Sequence, residues 1–270
     1  MSVGKQKKLL IIGLDGLRPD ALQVADTPAI DSLASEGSYT WEAESEPVTV
    51  SGSAWTSLLT GVHLDKHRVV GNEFRWRDKA YRTFFALARE EFPNTRTVAH
   101  VNWKPIIDDI FEDDSLVVRS SGSDESVTSA TEADIRDGNG DLFFVHLDDI
   151  DGAGHKHGYG PGSTGYVESI AVADARVARL VDAVAVRPES EDWLVAVVSD
   201  HGGLEKSHGN PSPEEITIAV ALSENQLIPP GPIHGATPFR IVDLVPLFSR
   251  FLGLKDQDYW DGVASDSYET

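Results

Sequence analysis

The chain has 270 residues, of which 44 are acidic and 23 basic, for a formal charge of −21. This length and composition are typical of a folded globular chain, and we predict a single domain over residues 1–270. The negative charge repels nucleic acid phosphates and anionic membrane surfaces, so neither partner is expected, and the absence of cysteine excludes disulfides, thiolate catalysis and cysteine-ligated zinc.

The first predicted element follows a short basic segment. Lys5–Lys8 precede the apolar run Leu9–Leu14, which Asp15 interrupts. The run is too short for a signal peptide and lacks a cleavage site of small residues, so we interpret it as a β-strand. No segment approaches the roughly 18 apolar residues of a membrane span. These features predict a cytoplasmic location, and the sequence carries no signal for an oligomeric state.

Strand and helix patterns alternate along the rest of the chain. Further apolar runs, typical of strands covered on both faces, occupy residues 141–147, 193–199 and 216–222. Helical patterns that end at glycine or proline occupy residues 28–36, 81–92, 166–186 and 238–252. The alternation predicts an α/β fold with a mostly parallel central sheet and helices on both faces. The range 62–137, which contains several aromatic residues, is predicted to form a small cap.

Acidic and histidine side chains follow three of the predicted strands. They are Asp15 after the first strand, Asp148, Asp149 and Asp151 after the strand ending at residue 147, and Asp200-His201 after the strand ending at residue 199. In open parallel sheets, ligands bind outside the carboxyl ends of the strands. The sequence therefore predicts a polar site at one edge of the sheet, where Asp148 and Asp149 support it or remain exposed.

Two motifs at these strand ends pair a carboxylate with an imidazole. Asp200-His201-Gly202-Gly203 leaves a strand directly into a glycine pair, which lets the backbone turn sharply and present both side chains at one point. Asp151 and His155 are four residues apart, so one helical turn would place them on the same face. Taken alone, each motif also fits a solvated turn. We interpret them as candidate metal ligands.

A serine stands at the predicted start of another helix. The segment from Val48 to Trp55 places Ser51 there, where the N-terminal amides and the helix dipole favour an anion such as a phosphoryl group. Ser51 or Ser53 could instead cap this helix. A serine hydroxyl beside a bound metal ion loses its proton more easily and becomes a competent nucleophile. Ser51 is therefore the candidate nucleophile.

Together these motifs resemble the alkaline phosphatase superfamily and, within it, the type I phosphodiesterase and nucleotide pyrophosphatase branch. The features that carry the resemblance are Gly13-Leu14-Asp15-Gly16, Ser51 nine positions before Thr60-Gly61, Asp151 with His155, Ser199-Asp200-His201-Gly202 and Ser207-His208-Gly209. They span most of the chain and follow the order found in the family. Thr49 also lies near the nucleophile position, but counting back from Thr60-Gly61 selects Ser51. The resemblance implies an alkaline phosphatase-like fold.

The resemblance also implies a site for two divalent metal ions. One ion would be held by Asp15, Ser51, Asp200 and His201, and the other by Asp151, His155 and His208. Nitrogen and oxygen ligands without sulfur suit Zn²⁺, with Mn²⁺ or Fe as alternatives. His234 is the alternative to His208. We prefer His208, because it precedes the predicted strand at 216–222, as the family's last histidine does.

The activity that the resemblance implies is hydrolysis of a small-molecule phosphoester. We predict a phosphodiesterase that acts through a covalent phospho-Ser51 intermediate. A phosphomonoesterase using the same site is the main alternative, followed by a phosphomutase and a non-catalytic metal or phosphate binder. A sulfatase is not expected, because Ser53 and Trp55 stand where that family requires proline and arginine. The candidate substrate-binding residues are Trp55, Asn72, Trp103 and Lys104.

Overall fold

The computed structural model describes residues 5–235 and 237–263, together with the backbone of Tyr268–Glu269. The strands are β1 Gln6–Leu14, β2 Ser38–Glu44, β3 Thr97–Val101, β4 Val118–Ser121, β5 Leu142–Leu147, β6 Glu191–Ser199, β7 Thr217–Leu222 and β8 Gly231–Pro232. They form one sheet in the order β4-β3-β5-β1-β6-β7-β2-β8. Two short strands, β9 His234–Gly235 and β10 Tyr268–Glu269, pair with each other.

The centre of the sheet is parallel. Strands β4, β3, β5, β1 and β6 all run in the same direction, and β7 is antiparallel to both of its neighbours, β6 and β2. The sheet is therefore mixed but mostly parallel, as the apolar runs predict. Because β5, β1 and β6 are adjacent and parallel, their carboxyl ends meet at one edge, which brings the residues that follow them together.

Helices cover both faces of the sheet. They are α1 Pro19–Leu22, α2 Pro28–Glu36, α3 Ser51–Thr60, α4 Leu64–His67, α5 Phe84–Glu91, α6 Asp124–Asp137, α7 Asp149–His157, α8 Thr164–Ala185, α9 Pro213–Ile216 and α10 Leu244–Leu252. A π-helical turn at Ile106–Ile110 and a 3₁₀ turn at Ile241–Asp243 complete the list. Among the described residues, none of the helices has the length and apolar character needed to cross a membrane.

Alternating residues of β1 enter two different hydrophobic cores. Leu9 and Ile11 pack in the core that contains residues of α3, α5 and α10. Leu10, Ile12 and Leu14 pack in the core that contains residues of α2, α6 and α8. Burial on both faces explains why the strand is continuously apolar. The predicted α/β fold, with helices on both faces of a mostly parallel sheet, is confirmed.

The range 62–137, predicted to form a small cap, contributes two strands to the central sheet. Strand β3 lies inside the sheet between β4 and β5, and β4 forms its edge. Val127 and Ile135 of α6 pack in the same core as β1. Most of the second half of this range therefore belongs to the central sheet and the helical layer that covers it, because its apolar residues are buried there.

Candidate functional site

Ser51 is the first residue of α3 and is almost completely buried. The residue that caps this helix is Val50, whose side chain makes no capping hydrogen bond. The hydroxyl of Ser53 is buried and has no hydrogen-bond partner among the described residues. Neither serine caps the helix, so the capping alternative is wrong, and the Ser51 hydroxyl stands at the helix N-terminus as predicted.

Ser51, Asp15, Asp200 and His201 converge, and we call them the first centre. Nε2 of His201 lies 3.3 Å from Oγ of Ser51, 3.3 Å from Oδ2 of Asp200 and 3.5 Å from Oδ1 of Asp15. Nδ1 of the same ring is 2.7 Å from the carbonyl oxygen of Gly202, which can only accept, so Nδ1 carries the proton. In the neutral ring, Nε2 is then a lone pair that faces oxygen atoms.

The first centre suits a cation because its hydrogen-bond acceptors outnumber the N–H and O–H groups that could donate to them. Oδ2 of Asp200 is buried and has no hydrogen-bond partner in the described part of the chain, although Nε2 of His201 is close to it. A buried carboxylate oxygen without a donor is costly, and a bound cation removes that cost. One ligand atom from each of Asp15, Asp200 and His201 lies within 4.8 Å of the others.

The carboxyl groups of the site have strongly perturbed pKa values. Burial raises the pKa of Asp200 well above its usual value, and the charge of Asp15 adds to this effect. Burial would also raise the pKa of Asp15, but the hydrogen bond from His146, together with electrostatic attraction to the His146 and His201 rings, outweighs it and holds this pKa at about 2. Burial and the charge of Asp15 raise the pKa of Asp148 to about 7. Such crowding of acids is typical of a functional site.

Asp151, His155 and His208, which we call the second centre, lie near one another, although the group of ligand atoms within 4.8 Å that contains Asp151 comprises His201 and His208 and not His155. Oδ2 of Asp151 is 3.2 Å from Nε2 of His155, one turn along α7, and Oδ1 is 3.7 Å from Nε2 of His208. Nδ1 of His155 contacts the carbonyl oxygen of Lys206 at 2.9 Å, and Nδ1 of His208 contacts that of Thr49 at 2.7 Å. Both rings therefore direct Nε2 at the carboxylate, the orientation that metal-binding histidines take.

The two centres are adjacent. The rings of His201 and His208 stack with their centroids 3.9 Å apart, and ligand atoms of Asp151, His201 and His208 lie within 4.8 Å of one another. His234, the alternative to His208, is an exposed residue of β9 and belongs to none of the candidate metal groups found among the described residues. The geometry favours His208 as the ligand.

Two glycines allow the loops of the site to approach each other. Gly16 has φ +69°, and a Cβ there would lie 2.6 Å from Oδ1 of Asp151. Its backbone N–H donates to Oδ1 of Asp200 at 3.0 Å. A Cβ at Gly202 would lie 2.1 Å from the carbonyl oxygen of Glu214. Gly16 and Gly202 therefore let the backbone after β1 approach Asp151 and the backbone after β6 approach Glu214 of α9.

The predicted substrate residues lie in different environments. Trp55 is fully buried, so the prediction that it contacts substrate is wrong. Its Nε1 instead donates a hydrogen bond to Oδ2 of Asp15 at 3.0 Å. Asn72 is exposed, and its Oδ1 accepts the backbone N–H of Gly52 at 2.9 Å, which places it beside Ser51. Trp103 is half-buried against Phe74. Lys104 is exposed and paired with Asp108.

Sequence reasoning missed two residues that contact the ligands. His146, the penultimate residue of β5, is fully buried and lies 2.9 Å from Oδ2 of Asp15 through its Nε2. The hydroxyl of Tyr159 donates to Oδ1 of Asp151. The histidine is the one polar side chain within the run from Leu142 to Leu147, and that signal could have identified it. Nothing in the spacing marks Tyr159.

Comparison with known proteins identifies the family. A family model described as type I phosphodiesterase / nucleotide pyrophosphatase matches residues 9–211. The chain belongs to this family. The predicted resemblance to this phosphodiesterase branch is therefore confirmed.

Relatives of this phosphodiesterase family differ in length from the chain. Ectonucleotide pyrophosphatase/phosphodiesterase family member 7 of Mus musculus is 25% identical over 231 residues, which cover 74% of this chain and 51% of the relative. The Homo sapiens protein of the same name is 24% identical over 246 residues, covering 74% and 49%. The chain thus spans about half the length of these curated relatives.

Solved structures share the fold at low sequence identity. Human ectonucleotide pyrophosphatase/phosphodiesterase 5 superposes with a TM-score of 0.78 at 13% identity, covering 98% of this chain and 100% of that one. A 2-O GAG sulfatase, BT1596, superposes with a TM-score of 0.75 at 13% identity, covering 96% and 73%. These similarities show the fold that the phosphodiesterase family shares with sulfatases.

Proposed function

We propose that the chain is a two-metal-dependent phosphodiesterase that acts through a covalent phospho-Ser51 intermediate. The observation that carries this proposal is the position of the Ser51 hydroxyl, at a helix N-terminus and 3.3 Å from a histidine nitrogen that also faces Asp15 and Asp200. Family membership supports the same reaction class.

The residues present fit two divalent ions. The first centre, with Asp15, Ser51, Asp200 and His201, would hold one ion, and the second centre, with Asp151, His155 and His208, the other. These oxygen and nitrogen donors suit Zn²⁺, and Mn²⁺ or Fe are the alternatives. When bound, the ions supply Lewis-acid stabilisation of the attacking and leaving oxygens.

The side chains of the chain itself bind, orient and attack the substrate. Oγ of Ser51 loses its proton and forms a bond to phosphorus as the bond to the leaving oxygen breaks, so that the alcohol leaves. Water then cleaves the phospho-Ser51 ester, which restores the serine hydroxyl and releases a phosphomonoester. Because Oδ1 of Asn72 accepts from Gly52, the Nδ2 protons of Asn72 can be donated to a phosphoryl oxygen next to Ser51. Asn72 would thereby orient the transferred group.

A diester substrate is favoured over a monoester by the charges around the site. A monoester carries an additional negative charge, which calls for a nearby cationic side chain. Lys104, the cation predicted to bind substrate, is paired with Asp108. A small phosphodiester therefore matches the site better. A nucleotide diester is one candidate, because murine ectonucleotide pyrophosphatase/phosphodiesterase 5 has been solved with AMP.

The proposal is tested with bis-p-nitrophenyl phosphate as substrate. We expect Ser51→Ala and Asp200→Asn to lower kcat/KM by more than about 10³-fold, since each removes a group needed at the reacting phosphorus. Ser53→Ala is the matched control, because Ser53 is buried on the same helix and its hydroxyl has no partner among the described residues. Activity retained in both site variants would overturn the proposal, and a higher kcat/KM on p-nitrophenyl phosphate would favour the monoesterase.

The cytoplasmic location, the single domain and the absence of nucleic acid and membrane partners stay predictions from the sequence.

A further inference from the structure

The two oxygens of Asp15 have different surroundings. Oδ2 accepts hydrogen bonds from Nε2 of His146 at 2.9 Å and from Nε1 of Trp55 at 3.0 Å. Oδ1 instead faces Oγ of Ser51 and Nε2 of His201, both at 3.5 Å. The side chains of Asp15, His146 and Trp55 are all buried. Oδ1 of Asp15 therefore faces the first centre, whereas Oδ2 is held by the N–H donors of His146 and Trp55.

The donor role of His146 follows from its other ring nitrogen. The backbone N–H of Trp103 points at Nδ1 of His146 over 3.4 Å, so Nδ1 acts as the acceptor. In a neutral imidazole one nitrogen donates and the other accepts, which leaves Nε2 to carry the proton towards Asp15. The edge of the ring also contacts the indole of Trp55, with ring centroids 5.2 Å apart. His146 is thus held in one orientation from two sides.

Gly13 makes room for the second donor. A Cβ at Gly13 would lie 2.6 Å from Cη2 of Trp55, so only glycine lets the indole lie against β1. Gly13 is also the residue of β1 that pairs in register with His146 of β5. Three segments that are far apart in the sequence, β1, α3 and β5, therefore meet beneath a single carboxylate.

We propose that His146 and Trp55 are positioning residues that hold Oδ2 of Asp15 and leave only Oδ1 to bind the ion of the first centre. This inference rests on the proposed function, because it concerns the same ion. An oxygen that accepts two N–H groups has few lone pairs left for a metal, so Asp15 binds through one oxygen in a fixed direction. Without the donors the carboxylate turns, and a buried oxygen loses its partners.

The test is the binding of Zn²⁺ alone, measured by elemental analysis and by calorimetric titration of the metal-stripped protein. We expect the wild-type chain to bind two ions. His146→Leu should weaken one of the two sites by about 10- to 100-fold and leave the other unchanged, the range seen when partners of metal ligands are removed. His146→Gln, which keeps an N–H donor, should restore the affinity. Trp55→Phe, which keeps the ring and removes the donor, should weaken the same site.

His100→Leu is the matched control for a purely structural effect. His100 is a buried histidine of β3 whose Nε2 lies 3.0 Å from a carboxylate oxygen of Asp134. Its loss should lower the melting temperature and leave both zinc affinities unchanged. His208→Ala identifies the other ion, because it removes a ligand of the second centre.

The outcomes separate this inference from the proposed function. A wild-type chain that binds no Zn²⁺, Mn²⁺ or Fe overturns the proposed two-metal function itself. A wild-type chain that binds two ions, with unchanged affinities in His146→Leu, overturns only the positioning role. If His146→Leu does not fold, Trp55→Phe provides the test. Wild-type zinc affinities in folded Trp55→Phe would likewise overturn the positioning role.

Discussion

His67 should make the stability of the protein fall as the pH drops from 8 to 5. The side chain is buried in α4, its Nδ1 accepts the backbone N–H of Val69 at 3.0 Å, and its Nε2 lies 2.8 Å from Oγ of Ser57. Protonation of Nδ1 would break the first of these hydrogen bonds. Burial lowers the pKa of His67 from 6.5 to about 4, and the charge of Glu46 opposes this shift only in part.

The sign and size of the effect follow from this lowered pKa. Below pH 6.5 the unfolded chain binds a proton at His67 that the folded chain does not, so stability is lost as the pH falls and the loss is complete below the folded pKa of about 4. At 1.36 kcal/mol per pKa unit, the cost reaches about 3 kcal/mol at its limit and about 2 kcal/mol at pH 5.

Urea unfolding of the wild type and of His67→Asn at pH 8 and pH 5 measures this contribution. Asparagine keeps an acceptor for the Val69 N–H and cannot be protonated, so the stability of the variant should fall by about 2 kcal/mol less than that of the wild type. His157→Asn, at an exposed histidine, should fall as the wild type does. Equal losses in the wild type and in His67→Asn would refute the reasoning.

Two further substitutions test the geometry of the site. His208→Ala should lower the bound zinc from two ions to one. His234→Ala, which changes an exposed residue of β9, should leave two ions bound. The reverse result would restore His234 as the ligand. Gly202→Ala should reduce stability by about 1–3 kcal/mol in thermal melts, because its Cβ would lie 2.1 Å from the carbonyl oxygen of Glu214. Gly152→Ala, with open space around its Cβ, should not be destabilised, and equal melting temperatures for the two alanine variants would contradict the steric argument.

The sheet could be predicted where strands are buried on both faces. The continuous apolar runs that form β1, β5 and β6 identified the centre of the sheet, and their ends identified the candidate ligands. Strands β2, β3, β4 and β8 were missed. In β2, Ser38–Glu44, polar and aromatic residues alternate without a continuous run, and in β3, Thr97–Val101, a threonine and a histidine interrupt the apolar pattern. The segments of β2 and β3 form strands because they pair with neighbouring strands, and the local sequence does not encode that pairing.

The site was predictable to the extent that its residues follow strand ends or glycine motifs. Asp151 and His155 lie one turn apart on α7, as their spacing predicts. His146 was missed because it lies inside a strand rather than after it. Trp55 was assigned to the substrate pocket because the sequence cannot tell which face of a buried helix an aromatic residue occupies. The cap at 62–137 stays a prediction, and the sequence did not reveal that β3 and β4 of this range join the central sheet, since strand pairing is a long-range property.

The first centre combines residues from positions 15, 51, 200 and 201, and the strands that present Asp15 and Asp200 are neighbours in the sheet although most of the chain separates them. Local segments cannot assemble this set of ligands, so a newly synthesised chain acquires it only after β6 has inserted beside β1. An ion that binds the first centre would therefore be captured late in folding. Its incorporation in a refolding time course would report the completion of the native topology rather than the formation of helices.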